Sequence, residues 1–135
     1  MTGVHTGQEL PERTFRITLP DLVRYAGAGG DFNTIHWNRR AAQSVGLPDV
    51  IAHGMFTMAL VGRYVTDWAG DPGAIEEFDV QFRAPVVVPD DEEGAALTVS
   101  GTVAEARDGR AVLALTATCG GVAVLRDARA VVRLA

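Results

Sequence analysis

The sequence predicts an α+β fold in which an antiparallel sheet curls around one central helix. Between residues 51 and 70, apolar side chains recur at helical spacing and cover nearly every side, a pattern typical of a buried helix. A helix of about eighteen residues spans about 27 Å, enough to fill the middle of a small domain. Beyond Gly73, almost every segment alternates like a strand. A sheet wrapped around this helix satisfies both patterns.

The first part of the chain is predicted to contain one strand and two short helices. Residues 14–19 alternate polar and apolar side chains, as a strand does. A helix over residues 21–26 is predicted to end in the glycine-rich run 26–30. This run is not a nucleotide-binding fingerprint, because no strand directly precedes it and no Gly-Lys-Ser or Gly-Lys-Thr follows it. The loop 31–38 then leads to a second helix over residues 39–45.

Four strands are predicted after the central helix, over residues 74–83, 97–105, 111–118 and 123–134. The sequences Arg-Asp-Gly-Arg, from residue 107, and Cys-Gly-Gly, from residue 119, are typical of tight hairpin turns between such strands. The acidic run at residues 90–94 is predicted to be a solvated loop. With a length of 135 residues, the chain 1–135 is predicted to be one domain.

Composition excludes several classes of function. The net charge of -5 argues against a nucleic-acid partner, because phosphate binding needs clustered Arg and Lys. All 12 basic residues are Arg, so no lysine is present for Schiff-base chemistry. The lone Cys119 and the absence of an apolar run in the first ten residues favour a reducing, cytoplasmic location without a signal peptide. Arg63 and Asp67 within the central helix argue against a membrane span.

One polar, titratable set interrupts the apolar pattern, in the sequence Gly-Gly-Asp-Phe-Asn-Thr-Ile-His. Asp31 and His36 are five positions apart in a loop, with Asn33 between them. Such spacing lets a carboxylate and an imidazole converge on one small ligand, for instance a water. The spacing also fits a structural role, in which Asp31 caps a turn and His36 hydrogen-bonds to the backbone.

The start of the central helix adds a second feature. Gly54 at a helix start leaves an unshielded backbone N–H, supported by the helix dipole, and this arrangement suits a carbonyl oxygen that gains negative charge. His53, directly before it, is predicted to fix the start of the helix in a supporting role.

The string Gly-Asp-Phe-Asn-Thr-Ile-His, followed at residue 52 by Ala-His-Gly-Met, resembles the MaoC-like family of (R)-specific enoyl hydratases, which have the hot-dog fold. Strings such as Gly-Leu-Pro and Gly-Asp-Pro-Gly-Ala resemble the catalytic subunits of the actinobacterial heterodimeric (3R)-hydroxyacyl-ACP dehydratases in particular. The resemblance implies that Asp31 and His36 form the catalytic dyad, that Asn33 supports them, and that the Gly54 N–H polarises the thioester carbonyl.

The same resemblance implies a reaction and partners. The reaction is the reversible removal of water from a (3R)-hydroxyacyl thioester of ACP or CoA, in a homodimer or in a heterodimer with a related hot-dog subunit. No metal, flavin or nicotinamide is implied, because the reaction needs neither a redox change nor a Lewis acid. Two alternatives stay open: a hot-dog acyl thioesterase, and a non-catalytic acyl-binding subunit of a heterodimer. The presence of both Asp31 and His36 argues against the second.

Overall fold

The computed structural model describes residues 3–135. In chain order the elements are β1 (Glu9–Ile17), α1 (Leu19–Gly29), a 3-10 turn (Thr34–His36), α2 (Arg39–Ser44), α3 (Gly54–Ala69), β2 (Ile75–Phe82), β3 (Ala95–Arg107), β4 (Arg110–Cys119), β5 (Val122–Ala123) and β6 (Leu125–Arg133). The strands form one antiparallel sheet in the order β1-β3-β4-β6-β2, with the short β5 paired to β4. This architecture confirms the predicted α+β fold.

Both predicted hairpin turns are present. Arg107 pairs with Arg110 across a two-residue loop whose residues, Asp108 and Gly109, have φ angles of 55° and 74°. Positive φ at both central positions is the geometry that suits the twist of antiparallel strands. The β4–β5 turn is made in the same way by two glycines at positive φ, Gly120 and Gly121.

The central helix α3 is buried on one side only within this chain. Val61 and Val65 are fully buried and belong to the same core as Leu97 and Leu113 of the sheet. Met55, in contrast, is 59% exposed. The prediction of a helix buried on nearly every side is therefore wrong for the single chain, because one sheet covers one face of a helix. No helix among residues 3–135 is both long and apolar enough to cross a membrane.

Strand β1 begins at Glu9, earlier than the predicted residue 14. The register of β1 against β3 shifts between Leu10 and Arg13, around Pro11, which has no N–H to give to the ladder. The Tyr64 hydroxyl donates to the Pro11 carbonyl at 2.8 Å. This hydrogen bond from α3 holds the start of β1, and burial, followed by the nearby Glu12 charge, raises the pKa of Tyr64.

Helix α1 is longer than the predicted 21–26 at both ends. It starts at Leu19 because the Thr18 N–H donates to the Asp21 carboxylate at 2.9 Å, the geometry of a capping box. It runs through the glycine-rich segment and ends where Gly30, at φ 71°, donates its N–H to the Ala26 carbonyl. The loop that carries Asp31 therefore begins directly at the helix cap.

Candidate active site

The loop between Asp31 and His36 is ordered by its own side chains. The Oδ1 atom of Asp31 accepts from the Asn33 N–H at 3.1 Å, and the Oδ1 atom of Asn33 accepts from the Ile35 N–H at 3.3 Å. The second bond caps the 3-10 turn that ends at His36. Asn33 thus shapes the loop, and its side chain makes no hydrogen bond to the His36 ring among residues 3–135.

His36 is buried and its ring is fixed in orientation. The Nδ1 atom lies 2.7 Å from the Ile51 carbonyl oxygen, so Nδ1 carries the proton and donates it there. The Nε2 atom then presents a lone pair towards Oδ2 of Asp31, 3.8 Å away. The Asp31 side chain is 54% exposed, so solvent reaches the space beside the pair.

Both interpretations of the Asp31 and His36 spacing hold at once, on different atoms. The turn cap uses Oδ1 of Asp31, and the backbone hydrogen bond uses Nδ1 of His36. Oδ2 and Nε2 remain as two acceptors separated by 3.8 Å, too far for a direct hydrogen bond. A water placed between them can donate one hydrogen to each.

His53 connects the two members of this pair. Its ring stacks on the His36 ring with centroids 3.8 Å apart and planes 21° from parallel. Its Nε2 atom donates to the backbone carbonyl of Asp31 at 3.1 Å. The rings of Tyr25 and His53 make an edge-on contact, with their centroids 4.8 Å apart. The Nδ1 atom of His53 is buried and has no hydrogen-bond partner within residues 3–135.

Gly54 is the first residue of α3, and its N–H has no hydrogen-bond partner within the described chain. Its φ lies outside the left-handed region, so the backbone does not require glycine here. The constraint is steric: a Cβ at this position would lie 3.1 Å from the Phe82 ring of β2. Gly62 has the same relationship with Phe78, whose ring lies 3.2 Å from the position that a Cβ would take.

A cavity of about 250 Å³ opens beside Gly54. We call it the Gly54 cavity, and its lining includes Ile51, Gly54, Thr57, Phe82, Arg83 and Val124. The N–H of Arg83 donates to the Val124 carbonyl at 2.9 Å. This hydrogen bond connects the cavity lining after β2 to Val124, the residue between β5 and β6. The sequence pattern does not single out Thr57, Phe82 or Arg83. The one available signal is the position of Thr57, three residues after Gly54 and so on the same helix face.

Asp31, His36 and His53 also offer ligand atoms that lie within 4.8 Å of one another. Imidazole lone pairs lie in the plane of the ring, and a zinc ion needs them to converge at about 2 Å. The two rings are stacked with planes only 21° from parallel, so their lone pairs run side by side. The arrangement suits proton transfer better than metal coordination, since one ring would have to leave the stack to bind an ion.

Comparison with known sequences places this site in context. Residues 3–118 match the family model described as a MaoC like domain. A stretch of 79 residues is 46% identical to the 3-hydroxyacyl-thioester dehydratase X of Mycobacterium tuberculosis. That stretch is 58% of this chain and 27% of the relative, so the match spans about a quarter of the relative's length.

Solved structures share the fold over nearly the whole chain. A MaoC-like dehydratase superposes with a TM-score of 0.93 and 39% identity, covering 98% of this chain and 41% of that one. The ChsH1-ChsH2 complex from Mycobacterium tuberculosis superposes with a TM-score of 0.85 and 27% identity, with full coverage of both chains. These neighbours confirm the hot-dog fold predicted from the resemblance.

Proposed function

The chain belongs to the family of MaoC-like domains, and from this premise we propose that it is a hydro-lyase acting on (3R)-hydroxyacyl and enoyl thioesters. The observation that carries the proposal is the pair of free acceptors, Oδ2 of Asp31 and Nε2 of His36, held 3.8 Å apart. Gly54, whose N–H has no hydrogen-bond partner within the described chain, directly follows His53 in the sequence. The ring of His53 stacks on His36. The dehydratase activity in the name of the M. tuberculosis relative supports the same reaction class.

In the hydration direction, a water donates its two hydrogens to Asp31 and His36. Its oxygen lone pair then attacks C3 of the enoyl thioester while one of the two acceptors takes a proton. The C2 carbon gains a proton from the pair, and the hydroxyl group stays on C3. Dehydration is the reverse: a proton leaves C2, the hydroxyl on C3 is protonated, and water departs. His36 can serve because its Nδ1–H is already held by the Ile51 carbonyl, which directs the Nε2 lone pair to the reaction.

Negative charge develops on the thioester oxygen when C3 is attacked. The Gly54 N–H, at the positive end of α3, is the donor that we assign to this oxygen. A backbone donor is fixed before the reaction and needs no reorganisation. The hydrogen bond from this N–H is stronger in the transition state, because the oxygen carries more negative charge there than in the substrate.

A second hot-dog domain, identical or related, is part of the proposal. Three large apolar side chains beside the candidate site are exposed: Phe32 at 64%, Met55 at 59% and Phe82 at 55%. Exposed apolar side chains grouped in this way are typical of an interface. Covering them would also shield Asp31, whose open position would let bulk water compete with the substrate. The match to the ChsH1-ChsH2 complex supports a related partner.

The carrier of the acyl group is ACP or CoA in this proposal, and the location is the cytoplasm. Cys119 is a free thiol, and its pKa is raised by burial, which suits an inert residue rather than a nucleophile. No resident cofactor is needed, because the overall change moves only a water molecule and protons.

The decisive experiment follows the absorbance of the conjugated enoyl group. Crotonyl-CoA and longer enoyl thioesters are mixed with the protein, with and without candidate partner subunits. Loss of the enoyl absorbance with the thiol still esterified supports the hydro-lyase. Release of free thiol from an acyl thioester indicates a thioesterase instead. Activity only in the presence of a partner, with no loss when Asp31 is replaced, indicates a non-catalytic subunit.

A further inference from the structure

A side chain outside the candidate dyad closes the loop that carries it. The indole Nε1–H of Trp37 donates to the Phe32 carbonyl at 3.0 Å. In the sequence, Phe32 directly follows Asp31, and Trp37 directly follows His36. This hydrogen bond therefore connects the two points at which the chain leaves the residues of the dyad. We call it the Trp37 clamp.

The Trp37 clamp spans more of the loop than the other hydrogen bonds within it. The side chains of Asp31 and Asn33 each accept from an N–H two positions further along, and the His36 N–H donates to the Asn33 carbonyl three positions back. The clamp connects residues that are five positions apart. It therefore fixes the width of the loop, whereas the shorter hydrogen bonds fix only its local turns.

Two successive carbonyl groups beside the Asp31 carboxylate are held by side-chain donors. The Asp31 carbonyl accepts from Nε2 of His53 at 3.1 Å, and the Phe32 carbonyl accepts from Trp37. The Oδ2 atom of Asp31 makes no hydrogen bond within residues 3–135. Its distance from Nε2 of His36 therefore depends on the backbone that carries the side chain, and the Trp37 clamp restrains that backbone.

The surroundings of Trp37 do not suit a role in stability. The residue is 42% exposed, and among the described residues it belongs neither to the hydrophobic core nor to the apolar side chains packed against it. An exposed hydrogen bond adds little to the free energy of unfolding, because water competes for both groups. The specific contribution of Trp37 is therefore an N–H group placed on the Phe32 carbonyl.

The proposed reaction depends on the geometry that the Trp37 clamp restrains. Oδ2 of Asp31 and Nε2 of His36 are 3.8 Å apart, and a bridging water has to reach both atoms at hydrogen-bond distance. A displacement of about 1 Å at a reacting centre costs about a hundredfold in rate. A loop that opens at the Phe32 carbonyl would move the carboxylate away from the imidazole.

We propose that Trp37 is a positioning residue. By holding the Phe32 carbonyl, its indole N–H keeps the Asp31 carboxylate at the distance from His36 that the bridging water requires. The inference rests on the proposed function, because that distance matters only for a reaction that uses this water. Trp37 touches neither the substrate nor the reacting atoms in this assignment, and it acts through Asp31.

Kinetics of two variants at position 37 test the hydrogen bond. Trp37→Phe keeps an aromatic ring and loses the N–H. We expect kcat on crotonyl-CoA to fall about fivefold or more, with KM within about twofold and a nearly unchanged melting temperature. Incorporation of β-(3-benzothienyl)alanine at position 37 keeps the outline of the indole with sulfur in place of the N–H, and kcat should fall as much. A wild-type kcat in either variant would overturn the proposal.

Trp68→Phe is the matched control. Trp68 packs against the core from the last turn of α3, about 21 Å along the helix from Gly54. This variant should lower the melting temperature and leave kcat within about twofold of the wild type. The same pattern at position 37, a lower melting temperature with an unchanged kcat, would show a purely structural role for Trp37 and overturn the proposal.

The oligomeric state is measured in the same experiment, because Trp37 is bonded to Phe32, which we assign to the interface with a second domain. Sedimentation of Trp37→Phe at the concentration of the assay should give the same mass as the wild type. A loss of kcat that disappears when the subunit concentration is raised would assign Trp37 to the interface and contradict the positioning role.

Hydrogen exchange separates this inference from the proposed function, because it needs no turnover. The N–H groups of Asn33 and Ile35 are bonded inside the loop, so a looser loop exposes them to solvent. By NMR, Trp37→Phe should speed their exchange about threefold or more, and Trp68→Phe should not. Unchanged exchange in Trp37→Phe would reject the inference and leave the proposed function intact. Faster exchange in a protein that fails the hydratase assay would support the Trp37 clamp and reject the proposed function alone.

Discussion

The rings of His36 and His53 lie face to face, with centroids 3.8 Å apart, while Nε2 of His53 also donates to the carbonyl of Asp31 at 3.1 Å. One buried side chain therefore touches both members of the candidate dyad. It fixes the plane of the imidazole and the backbone that carries the carboxylate. Displacements of about 1 Å at a reacting centre cost about a hundredfold in rate, so this arrangement makes His53 a positioning residue.

Replacing His53 by Phe should lower kcat by tenfold or more and change KM little. The phenyl ring keeps the stack on His36 but cannot donate to Asp31, so the loop loses one anchor. Stability should fall only modestly, because the substitution also removes a buried Nδ1 atom that has no partner within residues 3–135. Steady-state kinetics and thermal melting on the same preparation make the test. A folded variant with the wild-type kcat would deny His53 this role.

Asp31→Asn and His36→Gln should each cut turnover by about a hundredfold or more, the scale for losing a positioned acid or base. In both variants the fold should persist. An asparagine oxygen can still accept from the Asn33 N–H, and a glutamine amide can still reach the Ile51 carbonyl. Rates are followed by enoyl absorbance and structure by circular dichroism. Asn33→Ala is the control, because it disturbs the turn but leaves both acceptor atoms in place. Its loss of turnover should be smaller than that of Asp31→Asn or His36→Gln. Near-normal rates in the first two variants would contradict the mechanism.

Gly54→Ala should keep the fold and lose rate, and Gly54→Val should lose nearly all activity. The added Cβ meets the ring of Phe82 at 3.1 Å, so the ring has to move by only a few tenths of an ångström to make room. The N–H survives the substitution, but the thioester can no longer approach it. Gly62→Ala is the matched control, because its Cβ would meet the Phe78 ring at 3.2 Å on the same helix. It should lower the melting temperature to a similar degree with little change in rate. Equal rate losses at both glycines would leave the oxyanion role without support.

The active species should contain two hot-dog domains. The uncovered side of α3, with Met55 exposed, and the exposed Phe32 need an apolar cover that the single chain does not supply. Sedimentation at micromolar concentration, repeated with candidate partner subunits, measures the mass of the species that carries the activity. A stable and fully active monomer of this chain would be inconsistent with the proposal.

The sequence by itself determined the layout of the chain. The alternation of β3 and β4, the Asp108-Gly109 turn and the all-apolar stretch of α3 are local patterns, and local backbone preferences decide such elements. The motif around Asp31 and His36 likewise singled out the candidate site, since polar residues interrupt an otherwise apolar pattern there. Element ends were less well predicted, because the packing of Leu22 and Ala26 keeps α1 helical through its glycines.

Tertiary structure decided how the site is assembled. The stack of His53 on His36, the Phe82 ring over Gly54, and the cavity with Thr57 and Arg83 each join residues from separate elements. The spacing of residues along the chain does not predict such contacts, because they depend on how the sheet, α3 and the Asp31 loop pack together. The same reason explains why a helix that is apolar on nearly every side in sequence is covered on one side only: a single chain supplies one sheet, and one sheet covers one face of a helix.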